Sequence, residues 1–197
     1  MKIRQQRQIQ TFLVGEFGDK RGGTLCEAQE KILETLIGNM QGKTENQRKT
    51  LVHTILPRIA LWKALLGSGL TGEDSDAAMR KYMLDVVAAK KHAATARLEV
   101  IPGFFHVYRK VFLTIMKTTD LQESTVANGK DSYDITITKC LWHTACMENG
   151  CPELCPLFCD VDDVTYGGLR KISFHRTQTL GRGGNCCDFH FYRTKNC

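Results

Sequence analysis

Through residue 117 the apolar residues recur every three or four positions; beyond it they alternate or gather around cysteines. Leu25, Ala28, Ile32, Leu33, Leu36 and Ile37 share one side of a helix. Thr24-x-x-Glu27 has the spacing of a capping box in front of it, and Gly38 is the expected stop. Upstream, residues 2–18 predict a short helix ended by Gly18, with Gly22-Gly23 as a flexible break. Thr44-x-x-Gln47 opens a third helix whose stripe runs Leu51, Ile55, Ile59, Trp62, Leu65, Leu66. Pro57 stands inside it and predicts a kink or a split, because its ring removes a donor and crowds the preceding turn.

Thr71 precedes the acidic turn Glu73, Asp74, Asp76, which suits the positive end of a helix. Met79, Met83, Val86, Val87 and His92 carry that helix toward Leu98. After Ile101-Pro102-Gly103, the residues Phe104, Tyr108, Val111, Phe112, Ile115 and Met116 predict an amphipathic helix to about Lys117. Such an aromatic and methionine stripe reads as core packing rather than a cofactor box. Thr118 to Lys130 is polar, with Asn128-Gly129 as a turn. Tyr133 to Thr138 alternates strictly, as a half-buried strand does. Cys140 to Asp163 reads as helix in pieces, divided by Pro152 and Pro156. Residues 171–179 and 186–192 read as two strands of a hairpin around Gly181-Arg182-Gly183-Gly184.

Helices first, then strand, helices and hairpin, predict an α+β fold. A helical N-terminal half is expected to pack on a small, mainly antiparallel sheet with a C-terminal hairpin. The expected division is a helical region over 1–127 and a Cys-rich α+β region over 128–197, together one compact domain.

Because side chains alternate across a strand, a turn centred on Arg182-Gly183 sets Phe174 opposite Phe191, Arg176 opposite Phe189 and Gln178 opposite Cys187. The apolar face then carries Arg176 among Ile172, Phe174, Cys187, Phe189 and Phe191. A buried arginine needs an anion, supplied by a protein carboxylate or a substrate's, unless it snorkels at the sheet edge. The opposite face carries His175 across from His190, and Thr177 across from Asp188.

Size and charge narrow the field without naming a chemistry. The 197 residues, 42% hydrophobic and 24% charged, suffice for a packed core and argue against disorder. A net charge of +6 admits anionic partners, but no dense Lys/Arg run with interleaved aromatics marks a nucleic-acid binder, and no nucleic-acid partner is expected. No apolar run approaches the ~18 residues of a membrane span, and the first residues lack the pattern of a signal peptide. A cytoplasmic protein with reduced thiols and no membrane partner is expected, and a homo-oligomer is admitted.

Seven of the nine cysteines and three of the six histidines fall between Cys140 and Phe191. Cys140-x2-His143-x2-Cys146 and Cys151-x3-Cys155-x3-Cys159 offer soft ligands, but the stronger metal signatures repeat Cys-x2-Cys pairs, so no metal or cofactor is assigned. A nucleophilic thiol needs a lowered pKa. Cys159 stands before Asp160 and Asp162, which raise a thiol pKa but could serve as acid or base. Cys187, on the Arg176 face, has the better electrostatic neighbourhood from sequence alone. Most of these cysteines are expected to be small buried hydrophobes.

Leu154-x4-Cys159-Asp160-x-Asp162, Arg176-Thr177-x-Thr179-Leu180 and Gly184-x2-Cys187-Asp188-Phe189-x-Phe191 together resemble the L-2-amino-thiazoline-4-carboxylic acid hydrolase family. Ile55-Leu56-Pro57-x2-Ala60-Leu61-Trp62 and Ile101-Pro102-Gly103 are similar to its helical half. The resemblance implies hydrolytic opening of a thiazoline ring to a carbamoyl-cysteine, in bacterial cysteine metabolism. It carries over Cys159, Asp160, Asp162, Arg176, Thr177, Cys187 and Asp188. It leaves Cys146, Cys151, Cys155, Cys186 and Cys197 unplaced. The expected catalytic residues are Cys159, Asp160, Asp162 and Cys187; Arg176, Thr177 and His175 are expected to bind a small carboxylate substrate. A second class of function stays open on the residues alone: a sensor module whose Cys-rich pocket binds a metabolite or metal without turnover.

Overall fold

The computed structural model describes residues 4–194; Cys197 and the first two residues of the expected 2–18 helix lie outside the described residues. The chain forms two compact units. One runs to Tyr82 and takes in Ala145–Leu154; the other holds Met83–Thr144 and resumes at Cys155.

The first unit begins with α1 (Arg4–Gly38), two helical arms joined at Gly18, where φ is 75° and ψ 168°. Only glycine takes this conformation readily. The arms fold back on one another, and Gln6 and Gln29 exchange amide hydrogen bonds at 2.8 and 3.0 Å. Gly22 is not the expected break but the contact point: a Cβ there would stand 2.6 Å from the Leu13 carbonyl oxygen. Nor does Thr24 cap a helix. Its hydroxyl donates to the Lys20 carbonyl, since Gly18 has already turned the chain.

Thr44 does cap α2 (Glu45–Thr50), with both bonds of the capping box in place. A π turn (Leu51–Ile55) joins it to α3 (Leu56–Leu66), so Pro57 widens the helix instead of splitting it. The missing Pro57 N–H leaves the His53 carbonyl without its usual donor. The buried Gln5 amide donates to that carbonyl at 3.0 Å and to Thr54's at 3.1 Å, while its oxygen accepts from Arg58. Helix α4 (Gly72–Lys81) starts under its Thr71 cap as expected. Two side-chain bonds tie Ala145–Leu154 into this unit: Trp62 Nε1 to Glu153 at 2.8 Å and Lys43 Nζ to Glu148 at 2.7 Å.

The second unit holds α5 (Ala89–Leu98), α6 (Phe104–Thr118) and a sheet of four antiparallel strands. These are β1 (Gln122–Asn128), β2 (Ser132–Cys140), β3 (Ile172–His175) and β4 (Cys187–Arg193), in the order β1-β2-β4-β3. Helix α7 (Leu141–Glu148) follows β2, and α8 (Cys155–Tyr166) precedes β3. The chain is thus α+β.

Strand β1 lies in the stretch read as a polar connection. It is an edge strand with no fully buried residue, so it carries no apolar alternation. In β2, Tyr133, Ile135 and Ile137 point inward as their alternation requires. Their layer is completed by Cys187, Phe189 and Phe191 of β4, by Ile172, and by Phe104, Phe105 and Leu113 of α6. Phe191 is its centre, stacked on Tyr133 at 4.7 Å and flanked by Phe112, Tyr166 and Phe174. On α6, Phe104, Tyr108, Phe112 and Met116 take the core side, which leaves Val111 and Ile115 outside, 55% and 53% exposed.

The β3–β4 register is the expected one: Phe174 pairs with Phe191 and His175 with His190. The tight hairpin is not. Strand β3 stops at His175, and residues 176–186 loop out through a 3-10 turn at Leu180–Arg182 before Gly183, whose φ is 81°. The Asp188 carboxylate accepts from the backbone N–H of Thr177 and Gln178 at 3.0 and 2.8 Å, which replaces ladder pairing with a side-chain anchor. Among the described residues, no helix is long and apolar enough to cross a membrane.

Candidate functional site

Cys155, Cys159 and Asp163 recur every four residues along α8 and therefore share one face. The loop between β3 and β4 is seated on that face. A Cβ on Gly181 would stand 2.9 Å from Cys155 Sγ and 3.0 Å from Cys159 Sγ, so only glycine lets the turn approach both sulfurs. One residue earlier, the Leu180 N–H donates to Cys187 Sγ at 3.3 Å. One residue later, Arg182 Nη2 meets Asp160 Oδ1 at 2.5 Å and pins the turn to the helix. Three thiols from two distant segments thus surround one 3-10 turn.

Arg176 enters this cluster from the apolar sheet face, as its register position demands. Its side chain is only 7% exposed and lies over the rings of Phe174 and Phe189. Nη2 donates to the Cys159 carbonyl at 2.7 Å and to Asp163 Oδ2 at 2.5 Å. A protein carboxylate therefore does pair with Arg176. Yet Nη1 is buried with no hydrogen-bond partner. An unsatisfied guanidinium nitrogen costs on the order of 1–3 kcal/mol, which an incoming anion would recover.

The electrostatics single out Cys159. Thiol hydrogen bonds from Cys155 and Cys187, the otherwise unpartnered Thr179 hydroxyl and the Arg176 charge hold its pKa far below the ordinary thiol range, against the opposing effect of burial. Cys187 moves the other way, since donating to the Cys159 thiolate keeps its proton on. The sequence expectation that Cys187 has the better neighbourhood is reversed: Asp160, next to Cys159 in sequence, is paired with Arg182, while the Arg176 guanidinium arrives at Cys159 from another element. Asp162, on the adjoining face of α8, is pushed up to about 6 by burial, with Lys91 and Arg176 opposing.

The other expected residues stay apart from the thiols. His175 is exposed and faces His190 at 6.2 Å between ring centroids. His190 lies between Asp134, at 2.8 Å, and Asp188, at 3.6 Å, on the polar side of the sheet. Thr177 binds Asp188 through both backbone and hydroxyl and so shapes the loop. Cys146 and Cys151 belong to the first unit and have a structural explanation. The Cys151 N–H donates to the Cys146 carbonyl and Gly150, φ 63°, donates to Met147, which is the Schellman closure of α7. The two thiols are the buried apolar contact that accompanies this motif, and the Cys146 thiol lowers the Cys151 pKa. Cys155, Asp163, Thr179, Gly181 and Arg182 were missed as site residues; only the four-residue spacing of Cys155, Cys159 and Asp163 hinted at them.

The family model described as L-2-amino-thiazoline-4-carboxylic acid hydrolase matches residues 47–191, most of the chain and all of the thiol cluster. The chain belongs to the L-2-amino-thiazoline-4-carboxylic acid hydrolase family. No protein with a curated description matches it. Among solved structures, the Fe(II) unliganded H-NOX protein from K. algicida aligns with a TM-score of 0.33 at 11% identity, over 100% of this chain and 98% of that one. A point mutant of the same protein aligns with a TM-score of 0.32 at 10% identity, over 100% and 98%.

In this hydrolase-family chain, no group of three His, Cys, Asp or Glu side chains among the described residues is arranged to hold a metal ion. Two clefts, of about 310 and 520 Å³, lie in the first unit, one beside Lys43 and Glu148 and one beside Phe17 and Arg21; neither touches the thiols.

Proposed function

We propose that the chain hydrolyses a small cyclic amidine, opening a sulfur/nitrogen heterocycle such as 2-amino-thiazoline-4-carboxylate to a carbamoyl-cysteine. The observation that carries this reading is the placement of a stabilised thiolate, Cys159, beside a buried arginine with one unused nitrogen. A substrate with an electrophilic carbon and a carboxylate a few bonds away needs both.

In this reading the substrate carboxylate docks on Arg176 Nη1, and Cys159 Sγ adds to the amidine carbon. A ring heteroatom leaves and takes a proton. Water then adds to the same carbon and expels Cys159, leaving a carbamoyl group on the opened product; one water is consumed. Asp162, with a pKa of about 6, gives and retrieves the proton near neutral pH. Cys187 stays protonated and donates to the thiolate before attack. Asp160 holds the 3-10 turn through Arg182, and Thr177 with Asp188 holds the loop. His175 has no part in the chemistry. The carboxylate substrate is the one partner this scheme requires.

Turnover of 2-amino-thiazoline-4-carboxylate, followed by chromatography of the carbamoyl-cysteine product, tests the reading. Cys159→Ala should lower kcat on the order of a thousandfold or more. Arg176→Met should act mainly through KM. Undiminished turnover in Cys159→Ala would overturn it.

A further inference from the structure

The crowding of three thiols around one glycine turn has a second consequence, separate from hydrolysis. We propose that Cys159 is a site of oxidative modification by hydroperoxides, and that Cys187 is its resolving partner, closing a reversible Cys159–Cys187 disulfide.

Geometry selects the pair. Cys155 and Cys159 are four residues apart on α8, which sets their Cβ atoms roughly 5–6 Å apart. A disulfide requires about 3.5–4.5 Å between Cβ atoms, and a regular helix cannot supply that. Cys187 has no such restraint. It opens β4, on a different element, and its sulfur is held in the same cluster by the Leu180 N–H. Both sulfurs line the same turn, Cys187 Sγ at the Leu180 N–H and Cys159 Sγ 3.0 Å from where a Gly181 Cβ would stand, and the Cys159 side chain raises the Cys187 pKa. Cys159 is half-buried rather than sealed, so a molecule the size of peroxide can reach it. Thr179 and the unused Arg176 nitrogen are donors for the oxygen of a sulfenic acid.

The atoms balance in two steps. The Cys159 thiolate attacks hydrogen peroxide, breaks the O–O bond and becomes Cys159–SOH, with hydroxide leaving and taking up a proton as water. The Cys187 sulfur then attacks the sulfenyl sulfur, the S–S bond forms, and a second water leaves with the Cys187 proton. Two thiols are oxidised and one peroxide is reduced. A dithiol reductant reverses the process by exchange. Cys155 remains a thiol throughout and serves to steady the thiolate.

The experiment uses the reduced full-length chain, one equivalent of hydrogen peroxide, alkylation of remaining thiols and non-reducing peptide mass spectrometry. A linked peptide pair joining Cys159 to Cys187, lighter by two hydrogens and lost on dithiothreitol treatment, is the expected result. In Cys187→Ser, and in Cys187→Ala should the serine not fold, the link should vanish and dimedone trapping at Cys159 should rise several-fold. A Cys155–Cys159 link, or no oxidation at Cys159, overturns the proposal. Because mass and not turnover is read, the outcome is independent of the hydrolase reading.

Discussion

Arg176 Nη2 and Asp163 Oδ2 lie 2.5 Å apart, and the two residues are unequally buried: the arginine side chain is 7% exposed and the aspartate 45%. That inequality makes the pair asymmetric in its response to mutation. Asp163→Ala leaves a buried guanidinium with only the Cys159 carbonyl as acceptor, whereas Arg176→Met leaves a carboxylate that can turn to water. Asp163→Ala should therefore cost about 1.5–3 kcal/mol in urea denaturation, and Arg176→Met distinctly less. A reversed order would mean that the arginine is held by its aromatic neighbours and not by its acceptors.

Cys159 should alkylate as a thiolate well below neutral pH. The rate of iodoacetamide modification at Cys159, followed by peptide mapping, is expected to stay flat from pH 5 to 8. An ordinary thiol would speed up about tenfold per unit over that range. Cys187 should stay unreactive throughout. A Cys159 rate that climbs with pH like that of a free thiol would remove the thiolate, and with it the nucleophile.

Asp162 titrates near 6 in the fold, above the ordinary 3.8, because burial disfavours its charge. The folded chain then holds a proton that the unfolded chain releases between these values, so this group's contribution to stability falls as pH rises from about 4 to 6. Above that range the buried charge costs up to roughly 2–3 kcal/mol. Asp162→Asn should accordingly be more stabilising at pH 8 than at pH 4. Comparing the variant with wild type at each pH isolates this group from Cys159, whose lowered pKa acts in the opposite direction. Equal effects at both pH values would contradict the assignment. If Asp162 is also the acid of the reaction, kcat should decline as pH rises through 6.

The parts of this arrangement that were legible in sequence are those set by periodicity. The β3–β4 pairing followed from alternation alone, because a shift of one residue would have turned Phe174, Phe189 and Phe191 out of the core. The same logic put Arg176 on the apolar face and demanded an anion for it. What alternation could not give was the identity of that anion: Asp163 is four residues beyond Cys159 on a helix whose facing was not fixed by the pattern. The loop at 176–186 was also hidden, since strand propensity does not show that the Asp188 side chain will take over the ladder bonds. Strand β1 lacked a buried face and so lacked a signal. Charges adjacent to Cys159 in sequence were misleading because neighbours on a helix point in different directions, while Arg176 arrives from another element.

Gly181 gives the sharpest test of how the turn and the thiols fit. Alanine there would bring a methyl carbon to 2.9 Å from Cys155 Sγ, 3.0 Å from Cys159 Sγ and 3.2 Å from the Cys155 carbonyl carbon. A sulfur can shift by rotating about χ1, but the backbone carbon cannot move without displacing α8. Overpacking of this kind costs about 1–3 kcal/mol. Gly181→Ala should lose that much in denaturant titrations and should raise the apparent pKa of Cys159 in the alkylation profile by pushing its thiol donors away. Adding Cys155→Ala removes one of the crowded sulfurs and should restore part of the stability but not the profile, since the Cys155 thiol is itself one of those donors. If the double variant recovers neither, the clash is with the helix backbone. If the single variant loses nothing, the turn is not seated on the sulfurs at all.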